Sequence, residues 1–321
     1  MKARIAAGLL AALFAVNSYA SLTPFQTYTG NVGLSTDGFG STSGIGTLTA
    51  NAPAGSTVIA AYLYSATNFT TSTPGVSLAG TPVTFGPRVG NITTCCSLAS
   101  FRADVTSIVK PVIDAGVGGA YNFAVNEFSL GGSTDGSALV VVYQNNALAS
   151  STIGIMDGYS ASGGDTHTIT YADPLNPAAP GFFAEMRLGI GFSCCTTQQS
   201  TVKVNGTTIT NNAGNFDDGL DLANGSLITM GGDNDPFSTL LPSYANDHER
   251  YNLVPYINNG DTAITINTNN PSNDDNIFLA TFWTSGEAVI TAETPEPSSL
   301  LLMALGLIGF GATNLRKRSK V

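Results

Sequence analysis

Short apolar runs recur at roughly ten-residue intervals along this chain, with Gly, Asn and Asp between them, the spacing of strands joined by tight turns. Thr57–Tyr64 is apolar on both faces and reads as a central strand. Ala138–Tyr143 is the most apolar run outside the two ends and belongs at a core. Val76–Leu78 and Val83–Phe85 flank a Gly80-Thr81-Pro82 turn, and Tyr121–Val125 alternates. Further strands are expected at Thr152–Met156, His167–Tyr171, Ala184–Phe192, Thr201–Val204 and Thr207–Thr210. Leu227–Met230, Ala263–Asn267 and Ile277–Trp283 complete the series, whereas residues 21–54 read as one strand and long turns. Asp104–Val109 predicts a short helix, capped by Asp104 or Thr106 and kinked or ended by Pro111. The predicted fold is all-β, a β-sandwich or jelly-roll-like body. It divides into 21–150 and 151–292 as two parts, or runs as one continuous two-sheet body.

The two ends differ from this body. Lys2 and Arg4 precede the apolar run Ile5–Val16, and Ser18-Tyr19-Ala20 offers small residues for cleavage after Ala20. Residues 1–20 therefore predict a secretory signal peptide and a signal peptidase as partner. At the other end, Pro295 and Pro297 fix φ and bias Thr294 and Glu296 toward extended backbone, a form a processing cleft accepts. The apolar run Leu300–Ala312 follows. A transmembrane helix over about residues 298–314 would span roughly 25 Å at ~1.5 Å per residue, enough for a thin bilayer core. Arg316, Lys317, Arg318 and Lys320 form a basic stop that stays cytoplasmic.

Pro295-Glu296-Pro297, the apolar run and the basic cluster together resemble the PEP-CTERM sorting signal of Gram-negative bacteria, here over residues 293–321. The resemblance implies recognition by a membrane-embedded exosortase. It implies an inner-membrane anchor before processing, then a cell-surface or extracellular protein linked to exopolysaccharide and biofilm. The body has a fainter likeness to exported β-domains through Ala61–Tyr64, Asp104–Thr106 and Val140–Tyr143, which brings no activity with it.

Charge narrows the partners. Six of the 12 basic residues lie in the two terminal signals. Residues 21–294 keep the other six against 21 of the 22 acids, a formal charge of −15. Nucleic acid and anionic lipid need a basic footprint, so neither is expected as a partner of the body. Divalent cations and neutral polymers such as extracellular polysaccharide suit it better.

All four cysteines occur as adjacent pairs, Cys95-Cys96 and Cys194-Cys195. In an oxidising compartment they predict disulfides, with three connectivities open. Bonding within an adjacent pair closes a strained ring; bonding between pairs closes a loop of about 100 residues, nominally worth ~4–5 kcal/mol. The C-x₂₋₄-C spacing of structural zinc and the C-x-x-C of redox sites are both absent.

An acidic stretch runs from Asp217 to Asp275 with Arg250 its sole basic residue. Asp217, Asp218 and Asp221, and then Asp233 and Asp235, sit in short Asp/Asn/Gly segments of the kind that supply oxygen ligands to Ca²⁺. The same composition also favours plain solvated turns. No cofactor is firmly implied, and Ca²⁺ is the one candidate.

Catalysis finds little support. His167, in a Thr-rich strand, reads as a surface position, and His248 as solvated in the polar segment Asn246–Arg250. Gly-x-Ser-x-Gly is absent. The expectation is a non-enzymatic structural or interaction protein of the extracellular matrix. The alternatives are a Ca²⁺-dependent carbohydrate-binding module and a secreted hydrolase using paired carboxylates.

Overall fold

The computed structural model describes residues 22–40, 43–90, 97–128, 133–161, 163–191, 200–214, 228–243, 246–271 and 276–292. The signal peptide, the sorting motif with its helix and basic stop, the four cysteines, and Asp217, Asp218 and Asp221 lie outside the described residues.

The described chain is built on antiparallel strands, as the recurrent apolar runs predict, and the sandwich-like all-β class holds. Its strands form four sheets. Sheet 1 joins β3 (Ile45–Ala52), β9 (Gly119–Phe128), β5 (Gly75–Leu78) and β6 (Thr81–Pro82) in that order. Sheet 2 runs β2 (Val32–Gly40), β10 (Thr134–Gln144), β4 (Thr57–Thr67), β8 (Ala99–Asp104), β7 (Arg88–Val89). Sheet 3 runs β1 (Thr23–Gly30), β11 (Ser151–Asp157), β19 (Asn276–Ser285), β13 (Ala184–Gly191), β16 (Thr229–Met230), with β17 (Arg250–Asn252) also on β13. Sheet 4 runs β15 (Thr207–Thr210), β14 (Thr201–Val204), β18 (Ala263–Asn269), β12 (Asp165–Tyr171), β20 (Ala288–Ala292).

Three apolar cores separate these sheets, so they stack as layers in the order given. Leu139, Val141 and Leu63 face sheet 1 with Phe123 and Val125. Val140, Val142 and Tyr64, on the opposite face of the same strands, meet Ile153, Ile155 and Phe278 of sheet 3. Met186, Leu188, Ala280 and Phe282 of sheet 3 pack on Ile264, Ile266 and Ile169 of sheet 4. The inner sheets 2 and 3 are covered on both faces, which is why β4 and β10 carry continuous apolar runs instead of alternating, and why β13 is buried throughout although it carries Glu185 and Arg187.

Strands from β2 to β10 build sheets 1 and 2, and those from β11 onward build sheets 3 and 4. β1 is the exception, pairing across the chain with β11 from Thr23↔Asp157 to Gly30↔Ser151. Residues Ala20–Ala292 cluster as one compact unit.

Several local readings need correction. Residues 22–52 hold three strands, not one; β2 escapes notice because Gly33, Ser35, Thr36, Asp37 and Gly38 give it no apolar pattern. The hairpin partner of β5 begins inside the expected turn, at Thr81–Pro82, and Val83 continues it with its N–H on Val76 O at 2.9 Å. The helix, α1 (Thr106–Asp114), carries Pro111 inside it and continues past it. Asp104 Oδ1 accepts the Thr106 N–H at 2.8 Å, while the Thr106 hydroxyl oxygen accepts the Ala61 N–H and ties the helix to β4.

One edge is closed by side chains. β3 pairs with β9 alone, and its outward N–H groups at Thr49 and Asn51 donate to Asp37 Oδ2 (2.5 Å) and Ser35 Oγ (2.8 Å) of β2. Polar residues inside β2 thus do what a further strand would do.

Candidate functional site

Asp233 and Asp235, the two described members of the candidate calcium set, lie where sheets 2 and 3 meet. Two backbone bonds, Gly231 N–H to Leu188 O and Asp233 N–H to Thr36 O, and one from a side chain, Thr36 Oγ1–H to Gly231 O, hold the segment carrying them. The segment therefore bridges β2 and β13 and delivers its carboxylates to a buried charge.

That charge is Arg187, 1% exposed in the middle of β13. Strand alternation sends Met186 and Leu188 into the core toward sheet 4 and Arg187 toward β2. Its Nε and Nη2 both donate to Glu185 Oε1, at 3.0 and 2.6 Å. Its Nη1 donates to Thr36 Oγ1 at 2.8 Å and to Asp233 Oδ1 at 2.5 Å. Burial works against the guanidinium charge, but Glu185 and Asp233 outweigh it and hold the group above its ordinary value. Arg250 of β17 donates to Glu185 Oε2 at 3.2 Å and to the carbonyls of Asp233 and Asp235, and stacks 4.6 Å from the Phe237 ring centroid.

Asp233 is fully engaged. Its Oδ2 accepts Ser35 Oγ–H at 2.5 Å and Asn51 Nδ2–H at 3.2 Å, beside the Arg187 bond on Oδ1. Asp235 Oδ2 accepts the Gly232 N–H at 2.6 Å, and burial raises the group. Asp37 completes the cluster. Burial first, and then the negative charges of Asp235 and Asp233, push it up to about 7 despite N–H bonds from Thr49 and Gly38. Around the position a Cβ on Gly232 would take, Asn234 Oδ1, Asp235 Oδ2 and Asp37 Oδ1 lie at 2.7, 3.2 and 3.4 Å. Among the described residues no group of three or more His, Cys, Asp or Glu side chains is arranged to hold a metal ion.

The neighbouring segment Asp247–Glu249 is not the solvated loop its polarity predicts. Asp247 is wholly buried, accepting from Thr210 Oγ1 (2.5 Å), Ser238 Oγ (2.8 Å) and Tyr251 OH (2.8 Å). Glu249, 1% exposed, accepts Thr229 Oγ1–H at 2.7 Å and the Gly214 N–H at 3.0 Å. His248 is partly buried. His167 is corrected more sharply: it is 1% exposed, on the inner face of sheet 4 with Ile169 and Tyr171. Trp283, which ends the predicted strand Ile277–Trp283, packs partly buried against the core between sheets 2 and 3 and donates Nε1–H to Ser151 Oγ at 3.1 Å.

Arg102, Tyr64 and Asp157 form a second buried polar junction of sheets 2 and 3. Arg102 is ion-paired to Asp157 Oδ2 and lies 3.4 Å from the Phe25 ring centroid, and Tyr64 OH donates to the same oxygen at 2.9 Å. Sequence reading passed over both junctions. The available signal was an arginine between apolar neighbours, Met186-Arg187-Leu188, in a body with six cations.

Both junctions tie layers together with ion pairs and hydrogen bonds. The sorting function is carried by a different stretch. Residues 293–317 match the family model of the PEP-CTERM protein-sorting motif. The chain carries that exosortase sorting signal, as Pro295-Glu296-Pro297 predicts, and residues 1–292 lie outside the match. No curated protein matches the chain.

Among solved structures, the glycoside hydrolase BuGH86 in complex with neoagarooctaose aligns at 9% identity and a TM-score of 0.17, over 79% of this chain and 33% of that one. The β-porphyranase BpGH86A from the human gut bacterium Bacteroides plebeius aligns at 7% identity and a TM-score of 0.15, over 86% of this chain and 38% of that one. The mavirus major capsid protein aligns at 9% identity and a TM-score of 0.14, covering 89% and 92%. The chain spans little more than a third of either hydrolase's length, and likeness this distant carries no argument about function.

Proposed function

We propose that this is an exported, exosortase-processed protein of the cell surface or extracellular matrix, with a structural or interaction role among exopolysaccharides and no enzymatic activity of its own. The observation that supports this reading most is the sorting motif at residues 293–317. A signal peptide over residues 1–20 completes the export route. The layered body, bolted internally by buried ion pairs and of formal charge −15 over residues 21–294, suits a durable polyanion among neutral polymers.

Disulfides between the two cysteine pairs belong to the same proposal. Described residues flanking both pairs approach one another: a Cβ on Gly191 would lie 3.7 Å from Ala66, and Ala66 pairs with Ser100 of β8. Intact mass of the protein recovered from the cell surface, with and without thiol alkylation, tests the whole reading. Loss of residues 1–20, cleavage near Pro295–Pro297 and no alkylation of the unreduced chain are expected. Retention of the C-terminal segment at the surface, or four alkylated thiols, would count against it.

Calcium binding is a second reading, favoured by the convergence of Asp37, Asn234 and Asp235 oxygens at Gly232. A bound Ca²⁺ would offset the mutual repulsion that raises Asp37, so calcium should raise the melting temperature and EDTA lower it. An unchanged melting temperature on chelation removes this reading.

A further inference from the structure

His167 is the one described histidine whose two ring nitrogens are both buried without a hydrogen-bond partner. It sits on β12 directly between Ile266 of β18 and Ala292 of β20. β20 is an edge strand, paired with β12 alone, and Ala292 is its last residue before the sorting motif begins at residue 293. Two contacts tie the first three residues of β20 to β11. Ala288 N–H donates to Thr152 Oγ1 at 3.0 Å, and the Ile290 side chain fills the space a Cβ on Gly154 would need, 1.8 Å from Cδ1. Nearer its end Thr291 Oγ1 donates to the Thr168 carbonyl at 3.4 Å, and Ala292 pairs with His167 in the ladder.

We propose that β20 is an acid-released latch: neutral His167 lets the strand close over sheet 4, and a protonated imidazole, unable to reach a partner there, drives it off. The opened strand would extend the accessible chain leading into the sorting motif, so acidification would favour processing. That consequence rests on the sorting function proposed above, whereas the release itself does not.

The charges around His167 permit this. Asp165, on the same strand, is the charged group acting on it and favours protonation. Asp165 Oδ2 meanwhile accepts the Ala161 N–H at 2.7 Å. Tyr171, Tyr251 and Tyr256 are the other titratable members of this core, and burial raises Tyr171 to about 12 and Tyr256 above its ordinary value. From β18, β14 and the facing strands of sheet 3 the core residues are apolar or hydroxyl-bearing. Burial outweighs Asp165 and holds the imidazole below its ordinary value of 6.5. The closed state therefore binds fewer protons than the open one, and closure weakens as pH falls through 6.5. Asp37, Asp157, Asp235 and Asp247 are all raised, so their contribution runs the other way and firms the body as pH falls. Loosening on acidification should be confined to β20.

Hydrogen exchange on the full chain in detergent micelles, corrected for intrinsic rates, tests the latch. Between pH 7.5 and 5.5 the protection of residues 288–292 should fall severalfold, while Ala138–Val142 of β10 keeps its protection. His167→Phe should abolish the difference. Unchanged protection of β20, or the same fall in His167→Phe, overturns the proposal. Should that variant misfold, the intact chain decides: it has two histidines, and a His167 NMR titration near 6.5 with β20 still protected overturns the proposal equally. Processing near Pro295–Pro297, followed by mass, reports separately on the sorting function.

Discussion

Replacing Arg187 by Met should cost about 3–5 kcal/mol of stability, because it leaves Glu185 and Asp233 buried without their counter-charge. The loss should persist at high salt, since screening by mobile ions does not reach a side chain 1% exposed. Arg187→Lys should rescue little. One ammonium cannot reproduce donors that reach Glu185 Oε1 twice and Thr36 and Asp233 at once. Denaturant unfolding measures all three expectations. A loss below about 1 kcal/mol would mean that the junction is held by the backbone bonds of Gly231 and Asp233 instead.

The second large effect belongs to Gly136, inside β10. Its φ of +153° is outside what side chains tolerate, and a Cβ there would lie 2.0 Å from Ile228 Cγ2 and 2.4 Å from the Phe39 carbonyl. The Phe39 oxygen is backbone of the paired strand β2 and cannot move aside alone. Gly136→Ala should therefore destabilise by about 3 kcal/mol or prevent folding. Gly163→Ala is the control, with nothing within 4 Å of the added atom, and should leave the unfolding midpoint where it is. Equal behaviour of the two variants would contradict the close passage of β2, β10 and residue 228.

How far these features could be read from the sequence depended on how local their causes are. β4 and β10 were legible because burial on both faces leaves a continuous apolar run. β2 was not, because its polar residues are matched by Asn51, Gly231 and Asp233, one of them nearby and two nearly two hundred positions along. Arg187 posed the same problem: Glu185 is two residues away but Asp233 is 46. His167 was legible in principle. Asp165, His167, Ile169 and Tyr171 alternate with Thr166, Thr168 and Thr170, which places the histidine on the apolar face. Threonine density in the strand hid that period. The sorting motif was the easiest to read because its chemistry is contained in one short stretch.

Ion pairing also changes the meaning of the acidic composition. Arg102, Lys110, Arg187 and Arg250, four of the six cations between residues 21 and 294, are ion-paired to carboxylates; Arg102 and Arg250 tie separate strands together, and Arg187 ties β13 to the segment of Asp233. Little positive charge is left to face a partner, so what the surface offers a polymer is mainly anionic and hydroxyl-rich.

The capped edge of β3 limits how copies of a sorted protein can meet. Molecules held side by side at an envelope meet repeatedly, and a bare strand edge at such density seeds fibres by templating one copy on the next. With Thr49 and Asn51 already donating to Asp37 and Ser35, this flank offers a neighbour no free N–H at those positions. A second copy lying along Thr49 and Asn51 finds no strand to extend at those positions, so contact there has to run through side chains.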